Sequence, residues 1–325
     1  MTKLVTNDLH IDNIIATWLA ANTYSGYKTG KYISATTLLR STQQQVLQLR
    51  AQNNEDIVQV VDISSLLKSR IGTAIHADIQ QCWENPQIRI PALQTLGISN
   101  ELIAKIDVNP AIPQDDHVNL YFEHREEKEF RGWTISGQFD LVVDNSLHDF
   151  KSTTTYTYIN KTKEQDYIEQ GSIYRWLNPE LIKDDFITIH YIFTDWNAIK
   201  AKSTEGYPPH PFVSIKLPLL SLSETESMMA ERLMKIEANL DNEDLPPCDS
   251  KTLMQEEVWQ YWSAPGALRA SKNFDNIADA NKYLAQKGVG FIKKKPTEPK
   301  GCNYCNCRGI CKQYAAFVAQ GLIKE

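Results

Sequence analysis

The segment LHDFKS places a carboxylate, Asp149, and an ammonium, Lys151, two residues apart. In a strand such residues share a face, roughly 6.6–6.8 Å apart, while His148 and Phe150 take the other side. Upstream, ISGQFDLVV alternates so that Ile135, Gly137, Phe139, Leu141 and Val143 point one way and Asp140 the other. If the two strands pair, two carboxylates and one ammonium converge. That donor set suits a hard divalent cation, because Mg²⁺ takes one or two carboxylates and keeps waters and substrate phosphate around it. The metal would activate a water, and Lys151 would orient that water or offset charge on the phosphate. The chemistry is phosphodiester hydrolysis.

Two further pieces flank these strands. In RIGTAIHAD, Gly72 lies one helical turn before His76, so another backbone or a nucleic acid can approach that face and His76 becomes a candidate metal ligand. In YIEQGSIY, Gln170 and Tyr174 are four apart on a helix and share a face, where an amide and a phenol can bind phosphate or brace the carboxylates.

The order of His76 after Gly72, Asp140 after Gly137, Asp149-Phe-Lys151, and Gln170 with Tyr174 resembles the RecB-like branch of the PD-(D/E)XK nuclease superfamily. The likeness runs from about residue 33 to 314 in four short motifs. It implies a restriction-endonuclease-like α/β core and Mg²⁺- or Mn²⁺-dependent DNA cleavage. It also implies metal ligation by His76, Asp140, Asp149 and the Phe150 carbonyl, with Lys151 assisting the water and the Gln170/Tyr174 helix touching DNA. Members of the family serve recombination, repair, CRISPR adaptation or phage DNA metabolism. A noncatalytic DNA-binding module in a larger complex is the alternative, against which the presence of Asp140, Asp149 and Lys151 counts.

The C-terminal GCNYCNCRGIC contains Cys302, Cys305 and Cys311 with Cys307 inserted. Thiolates at this spacing suit a structural Zn²⁺ or an iron–sulfur cluster that staples the end of the chain to its body. The segment is similar to the C-terminal clip of AddB-like and CRISPR-associated members of the family. Those members take a further cysteine from near LLRSTQQQVLQLR, which here has none. Cys248, in LPPCDS, resembles a cysteine of phage-type relatives and is the preferred fourth ligand. Cys307 and Cys82 stay open, the latter better read as a small core residue.

These groups need a scaffold. The chain has 325 residues, 42% of them hydrophobic and 23% charged, which suits one elaborated soluble core with an appendix and excludes wholesale disorder. A net charge of −6 argues against coating nucleic acid indiscriminately, but leaves room for a local basic channel. Lys293–Lys295 with Lys300, Arg308 and Lys312, and Tyr156, Tyr158, Lys161 and Lys163, are candidate contacts to phosphates and bases. The N-terminus lacks a charged segment followed by an apolar one, and no apolar run reaches about 18 residues, so a cytoplasmic protein is expected.

Periodicity predicts a docked helix from Asp8 to about Ala21 and a second one capped by Ser34. A third runs from about Ile63 to Trp83, followed by about 30 residues of connecting loops. Strands follow at VNLYFEH, RGWTISGQFDLVV and LHDFKS, then a helix near KEQDYIEQGSIYRWL and a strand at FITIHYIFTDW. Ser223 and Glu226 have capping-box spacing before a helix striped by Met229, Leu233, Ile236 and Leu240, and helical segments follow LPPCDS. The expected organisation is a helical region over 1–62, a mixed-sheet nuclease core over 63–240, and a metal-stapled helical extension over 241–325.

Overall fold

The computed structural model describes residues 2–21, 28, 30–54, 58–248, 253, 258–274, 276–295, 298–303 and 305–323. The chain opens with β1 (Thr2–Thr6), α1 (Asn13–Ala20), β2 (Tyr32–Ser34), α2 (Ala35–Leu38), α3 (Thr42–Gln52) and β3 (Val58–Asp62). Three helices follow, α4 (Leu67–Glu84), α5 (Pro86–Thr95) and α6 (Asn100–Ile103), and then β4 (Ile106–Val108), β5 (Val118–Phe122) and β6 (Arg125–Phe130). Next come β7 (Trp133–Gln138), β8 (Leu141–Val143), β9 (Ser146–Thr153), α7 (Thr155–Ile159), α8 (Glu164–Leu177) and β10 (Phe186–Phe193). The central part ends with α9 (Ala198–Ser203), β11 (Phe212–Pro218) and α10 (Leu222–Glu237). The last elements are β12 (Val258–Trp262), β13 (Lys272–Phe274), α11 (Ile277–Lys287), β14 (Phe291–Lys295), α12 (Lys300–Asn303) and α13 (Lys312–Ala319).

One compact unit comprises Val5–Arg40 with Asp62–Ala238. Its six-stranded mixed sheet runs β11-β10-β9-β8-β5-β4, and a three-stranded sheet runs β2-β7-β6. Parallel pairing of β9 with β10 puts Leu147 beside Ile187 and Asp149 beside Ile189, so these side chains share one face. Leu147, Ile187, Ile189 and Tyr191 are buried there. Each fully buried side chain of this size contributes about 1.5–3 kcal/mol.

Helices cover both faces because glycines let them come close. A Cβ on Gly171 of α8 would lie 2.9 Å from both Ile187 Cδ1 and Leu219 Cδ2. On the opposite face, a Cβ on Gly72 of α4 would lie 3.2 Å from Ser152 Oγ. The approach that Gly72 permits is therefore to strand β9. The fold is a mixed α/β arrangement with a multi-stranded sheet flanked by helices.

Several local expectations are corrected. Asp12, not Asp8, caps α1, accepting from the Ile14 N–H at 2.9 Å, while the Asp8 N–H donates to Asp62. Ile14 is 82% exposed, so the apolar stripe of α1 is only partly docked. Ser34 caps the short α2 and Ser41 starts α3 anew. The residues after α4 form α5 and α6, since Asn85 caps α5 and Pro86 sits at its first turn, where a missing N–H costs nothing. The capping box of α10 is Ser221 with Glu224. Glu226 accepts instead from Trp176 Nε1 at 2.8 Å, fixing α10 to α8.

The other unit comprises Met1–Leu4, Ser41–Val61 and Asn239–Glu325. Where helices alone were expected, it holds a three-stranded sheet, β13-β12-β14, against which α11 packs through Tyr283. Cys248, Leu253, Cys302 and Ile323 form its buried cluster, with Tyr314, Phe317 and Val318 packed on it. No helix among the described residues is long and apolar enough to cross a membrane.

Candidate functional site

The site starts from a bend. β5 pairs antiparallel with β8 through Phe122↔Leu141, and β6 pairs with β7 through Arg125↔Gln138, so one register runs through both sheets. Between them the Glu123 N–H donates to the Asp140 carbonyl at 3.0 Å and the Phe139 N–H to the His124 carbonyl at 3.2 Å. Glu123 has a φ of +48°, a left-handed conformation that turns the chain there. Asp140 and Glu123 thus face each other at the corner, outside the regular strands. The β8–β9 register, Leu141↔His148, continued by one step sets Asp140 opposite Asp149. The two corner carboxylates and Asp149 of β9 thus lie at one level of the sheet register.

His76 reaches this corner from α4. Its Nε2 is 2.9 Å from the Phe150 carbonyl, and its Nδ1 is 3.4 Å from Asp140 Oδ1 and 3.9 Å from Glu123 Oε1. Donor atoms of His76, Glu123 and Asp140 all lie within 4.8 Å of one another. Asp140 Oδ2 accepts from the Phe150 N–H at 2.8 Å, which fixes the carboxylate. Glu123 Oε2 accepts from Gln138 Nε2 at 2.7 Å, and Gln138 Oε1 accepts from Arg125 at 2.7 Å. Burial alone would lower the His76 pKa, but the hydrogen bonds to Asp140 and Glu123 and the charges of Asp140 and Asp149 outweigh it and push it up to about 10. Without a metal, His76 is an imidazolium between two carboxylates.

Such a corner fits a divalent cation. A ligating histidine donates its other ring N–H to a carbonyl or carboxylate, and the Phe150 carbonyl fills that role for His76 Nε2, leaving Nδ1 for the metal. Asp149 Oδ2 is buried with no aligned hydrogen-bond donor among the described residues. Its neighbour is charge: Lys151 Nζ is 2.6 Å away. Burial pushes the Asp149 carboxyl up to about 6, against the pull of Lys151. At neutral pH the two form an ion pair. Lys151 stays charged, because Asp149 and Asp140 outweigh the desolvation that would lower its pKa. Its ammonium lies 5.2 Å from the Tyr167 ring centroid, a cation–π contact.

The glycine of the Gly-x-x-Asp segment positions the next helix. A Cβ on Gly137 would fall 2.7 Å from Leu177 Cδ1 and 2.9 Å from Tyr174 Cδ1. Its absence admits the Tyr174 ring, which is 5% exposed. Gln170 Nε2 donates to Tyr174 Oη at 2.7 Å. Burial pushes the Tyr174 phenol up, so it keeps its proton. Gln170 and Tyr174 thus share one face, as their spacing predicts.

Of the expected residues, His76 and Asp140 gather at the corner, with Asp149 and Lys151 paired beside it, while the Phe150 carbonyl, expected as a metal ligand, is instead taken up by His76 Nε2. Glu123 is a candidate ligand that the sequence alone does not single out. It sits in EHREEKEF among other acids, and only the register opposite Asp140 distinguishes it.

All the cysteines except Cys82 lie in the other unit. Cys248, Cys302, Cys305, Cys307 and Cys311 line one small cavity with Gln43 and Gln44 of α3, and none is in a disulfide. Burial pushes the Cys302 thiol up to about 11, and the Cys311, Cys305 and Cys248 sulfurs add to the effect. The Cys307 thiol instead points at the Gln44 carbonyl, 3.6 Å away. Cys305 Sγ accepts from Gln44 Nε2 and the Cys307 N–H, both at 3.4 Å. Cys311 Sγ accepts from Gln43 Nε2 at 3.5 Å and the Tyr314 N–H at 3.4 Å. Sulfurs taking two N–H donors each suit metal-bound thiolates, so this donor set fits a soft metal centre. Cys82 is exposed on α4, not a core residue.

No family model matches the chain, and no curated protein matches it. Among solved structures it is similar to the crystal structure of SSO0001, with 15% identity over 67% of this chain and 81% of that one, and a TM-score of 0.36. It is also similar to the crystal structure of a phage-related exonuclease from Haemophilus somnus 129PT. There the identity is 19% over 38% of this chain and 60% of that one, with a TM-score of 0.25. Likenesses this slight carry no chemistry, which rests on the residues themselves.

The candidate nucleic-acid contacts are mostly engaged. Lys163 pairs with Asp166 at 2.8 Å and Lys161 with Glu164 at 3.9 Å. The Tyr158 ring packs on Tyr191 and Phe193, while Tyr156 is 53% exposed. Lys293–Lys295 belong to strand β14, where Lys294 lies over the Trp259 ring. Lys312 pairs with Asp244 at 3.1 Å.

Proposed function

We propose that the chain is a metal-dependent nuclease that hydrolyses phosphodiester bonds in DNA. The observation that supports this most is the convergence of His76 Nδ1, Glu123 and Asp140 beside the Asp149–Lys151 pair. A hard cation supplies an activated water and neutralises charge developing on the phosphate. His76, Glu123 and Asp140 would hold it, with Asp149 adjoining. One imidazole among carboxylates suits Mn²⁺ better than Mg²⁺, which favours oxygen donors only.

The protein's own groups do the rest. The Phe150 carbonyl holds the His76 ring, and the Phe150 N–H holds Asp140. Lys151, kept charged by Asp149, presents an ammonium to the anionic phosphate and stabilises its transition state. Gln170 and Tyr174 supply amide and phenol donors on the neighbouring helix face. The family likeness in the four motifs points the same way, toward an exonuclease or end-processing enzyme of recombination, repair, or phage or CRISPR DNA metabolism. The C-terminal thiolate centre, Zn²⁺ or an iron–sulfur cluster, has a structural part in this reading.

End-labelled single- and double-stranded DNA incubated with Mn²⁺ or Mg²⁺ tests the proposal. Cleavage by the unaltered chain, lost on chelation and in Asp140→Asn, is expected. Binding without metal-dependent cleavage would replace it with a noncatalytic DNA-binding module.

A further inference from the structure

The thiolate site carries a feature its cysteines do not explain. Cys248 is separated from Cys302 by a long stretch of chain, so something must bring it to the others. Gln43 is buried, at 5% exposure, which a neutral amide tolerates only when its hydrogen bonds are made. Its Oε1 accepts from the Cys248 N–H at 3.1 Å, a donor it shares with Gln313 Oε1 at 3.0 Å, and from the Cys248 thiol at 3.3 Å, while its Nε2 donates to Cys311 Sγ at 3.5 Å. An amide nitrogen cannot accept, so the Cys248 N–H fixes which end of Gln43 faces which cysteine. Gln44 acts alongside, with its Nε2 on Cys305 Sγ at 3.4 Å while its own carbonyl faces the Cys307 thiol.

We infer that Gln43 and Gln44 are positioning residues of a tetrathiolate metal site made by Cys248, Cys302, Cys305 and Cys311, and that the Gln44 backbone carbonyl holds Cys307 out of it. Gln43 ties the remote ligand to Cys311, and both amides donate N–H to sulfur. On metal binding the four thiol protons leave to solvent: Cys248 gives up its S–H bond to Gln43 Oε1, which keeps the Cys248 N–H, and the Cys305 and Cys311 sulfurs keep their amide donors. Hydrogen bonds to ligand sulfur lower its electron-pair energy and tune the centre. This inference stands apart from the nuclease reading, and its test involves no DNA.

Co²⁺ serves as the probe, titrated anaerobically into the reduced, metal-stripped full-length chain, with absorbance read for sulfur-to-cobalt charge transfer and tetrahedral ligand-field bands. The unaltered chain and Cys307→Ser are expected to give the same tetrathiolate spectrum, and Cys248→Ser a weaker charge-transfer band. Gln43→Glu keeps the acceptor for Cys248 but loses the donor to Cys311. Its charge-transfer band is expected at lower energy and its Co²⁺ affinity to fall about 10–100-fold. Gln44→Leu should shift the band the same way through Cys305, and it carries the test if Gln43→Glu does not fold. A metal-free unfolding midpoint that drops while the Co²⁺ spectrum and affinity stay unchanged would show a merely structural role and overturn the inference. So would loss of charge transfer in Cys307→Ser, or no tetrathiolate spectrum in the unaltered chain.

Discussion

Glu123 and Asp140 face each other across one antiparallel pair at the point where it passes from one sheet to the other, with the Glu123 N–H donating to the Asp140 carbonyl at 3.0 Å. A strand interior would send such carboxylates to fixed faces, but a corner lets both turn to His76. Removing one carboxylate there should therefore cost metal as well as activity. Glu123→Gln and Asp140→Asn are each expected to lower metal-dependent cleavage at least about 100-fold, since a bound cation supplies several kcal/mol of transition-state stabilisation. Calorimetric Mn²⁺ titration should show the affinity falling in parallel. Unchanged Mn²⁺ affinity in both variants would remove Glu123 from the site.

Protons and metal compete for His76 Nδ1. With the imidazolium pKa near 10, metal binding must release that proton, so apparent Mn²⁺ affinity should rise about tenfold per pH unit in the neutral to mildly alkaline range. Stability of the metal-free chain should run the other way. A raised folded pKa stabilises fully below the ordinary value of 6.5 and is lost as pH rises through about 10. Urea unfolding of the unaltered chain and His76→Gln at several pH values checks the sign: their difference should shrink on going alkaline.

Gly137 gives Tyr174 its room. Gly137→Ala would drive a methyl to 2.7 Å from Leu177 Cδ1, and overpacking of this kind costs about 1–3 kcal/mol. Denaturant unfolding should show that loss, with cleavage reduced because Tyr174 and Gln170 are displaced. An unchanged midpoint would mean that α8 yields easily at this point.

The cysteines divide into two classes. Cys248→Ala and Cys302→Ala are expected to strip the purified chain of its thiolate-bound metal, measured by elemental analysis, whereas Cys307→Ala keeps it. Loss of metal from Cys307→Ala alone would reverse the ligand assignment.

Much of the site was legible because strand alternation is a strong rule. Asp149 and Lys151 share a face, as their spacing predicts, and there form an ion pair, and Gln170 and Tyr174 meet at helical spacing. Glu123 was hidden because its partner across the sheet is set by register, which one strand's sequence does not contain. The α10 cap was misplaced because SLSETESM offers two S-x-x-E pairs, and the choice depended on Trp176 of another helix needing Glu226. The strands β12–β14 are not legible in the sequence, since each is short, β13 has three residues and β14 ends in three lysines, so their pairing outweighs a weak local signal.

Crystals of the chain soaked in Mn²⁺, with anomalous scattering recorded at the manganese edge, probe the corner directly. A peak bonded to His76 Nδ1, Glu123 and Asp140 is expected, with His76 Nε2 still on the Phe150 carbonyl. No peak there, with His76 Nδ1 still bonded to Asp140 under saturating Mn²⁺ at alkaline pH, would contradict a metal-dependent nuclease at this site.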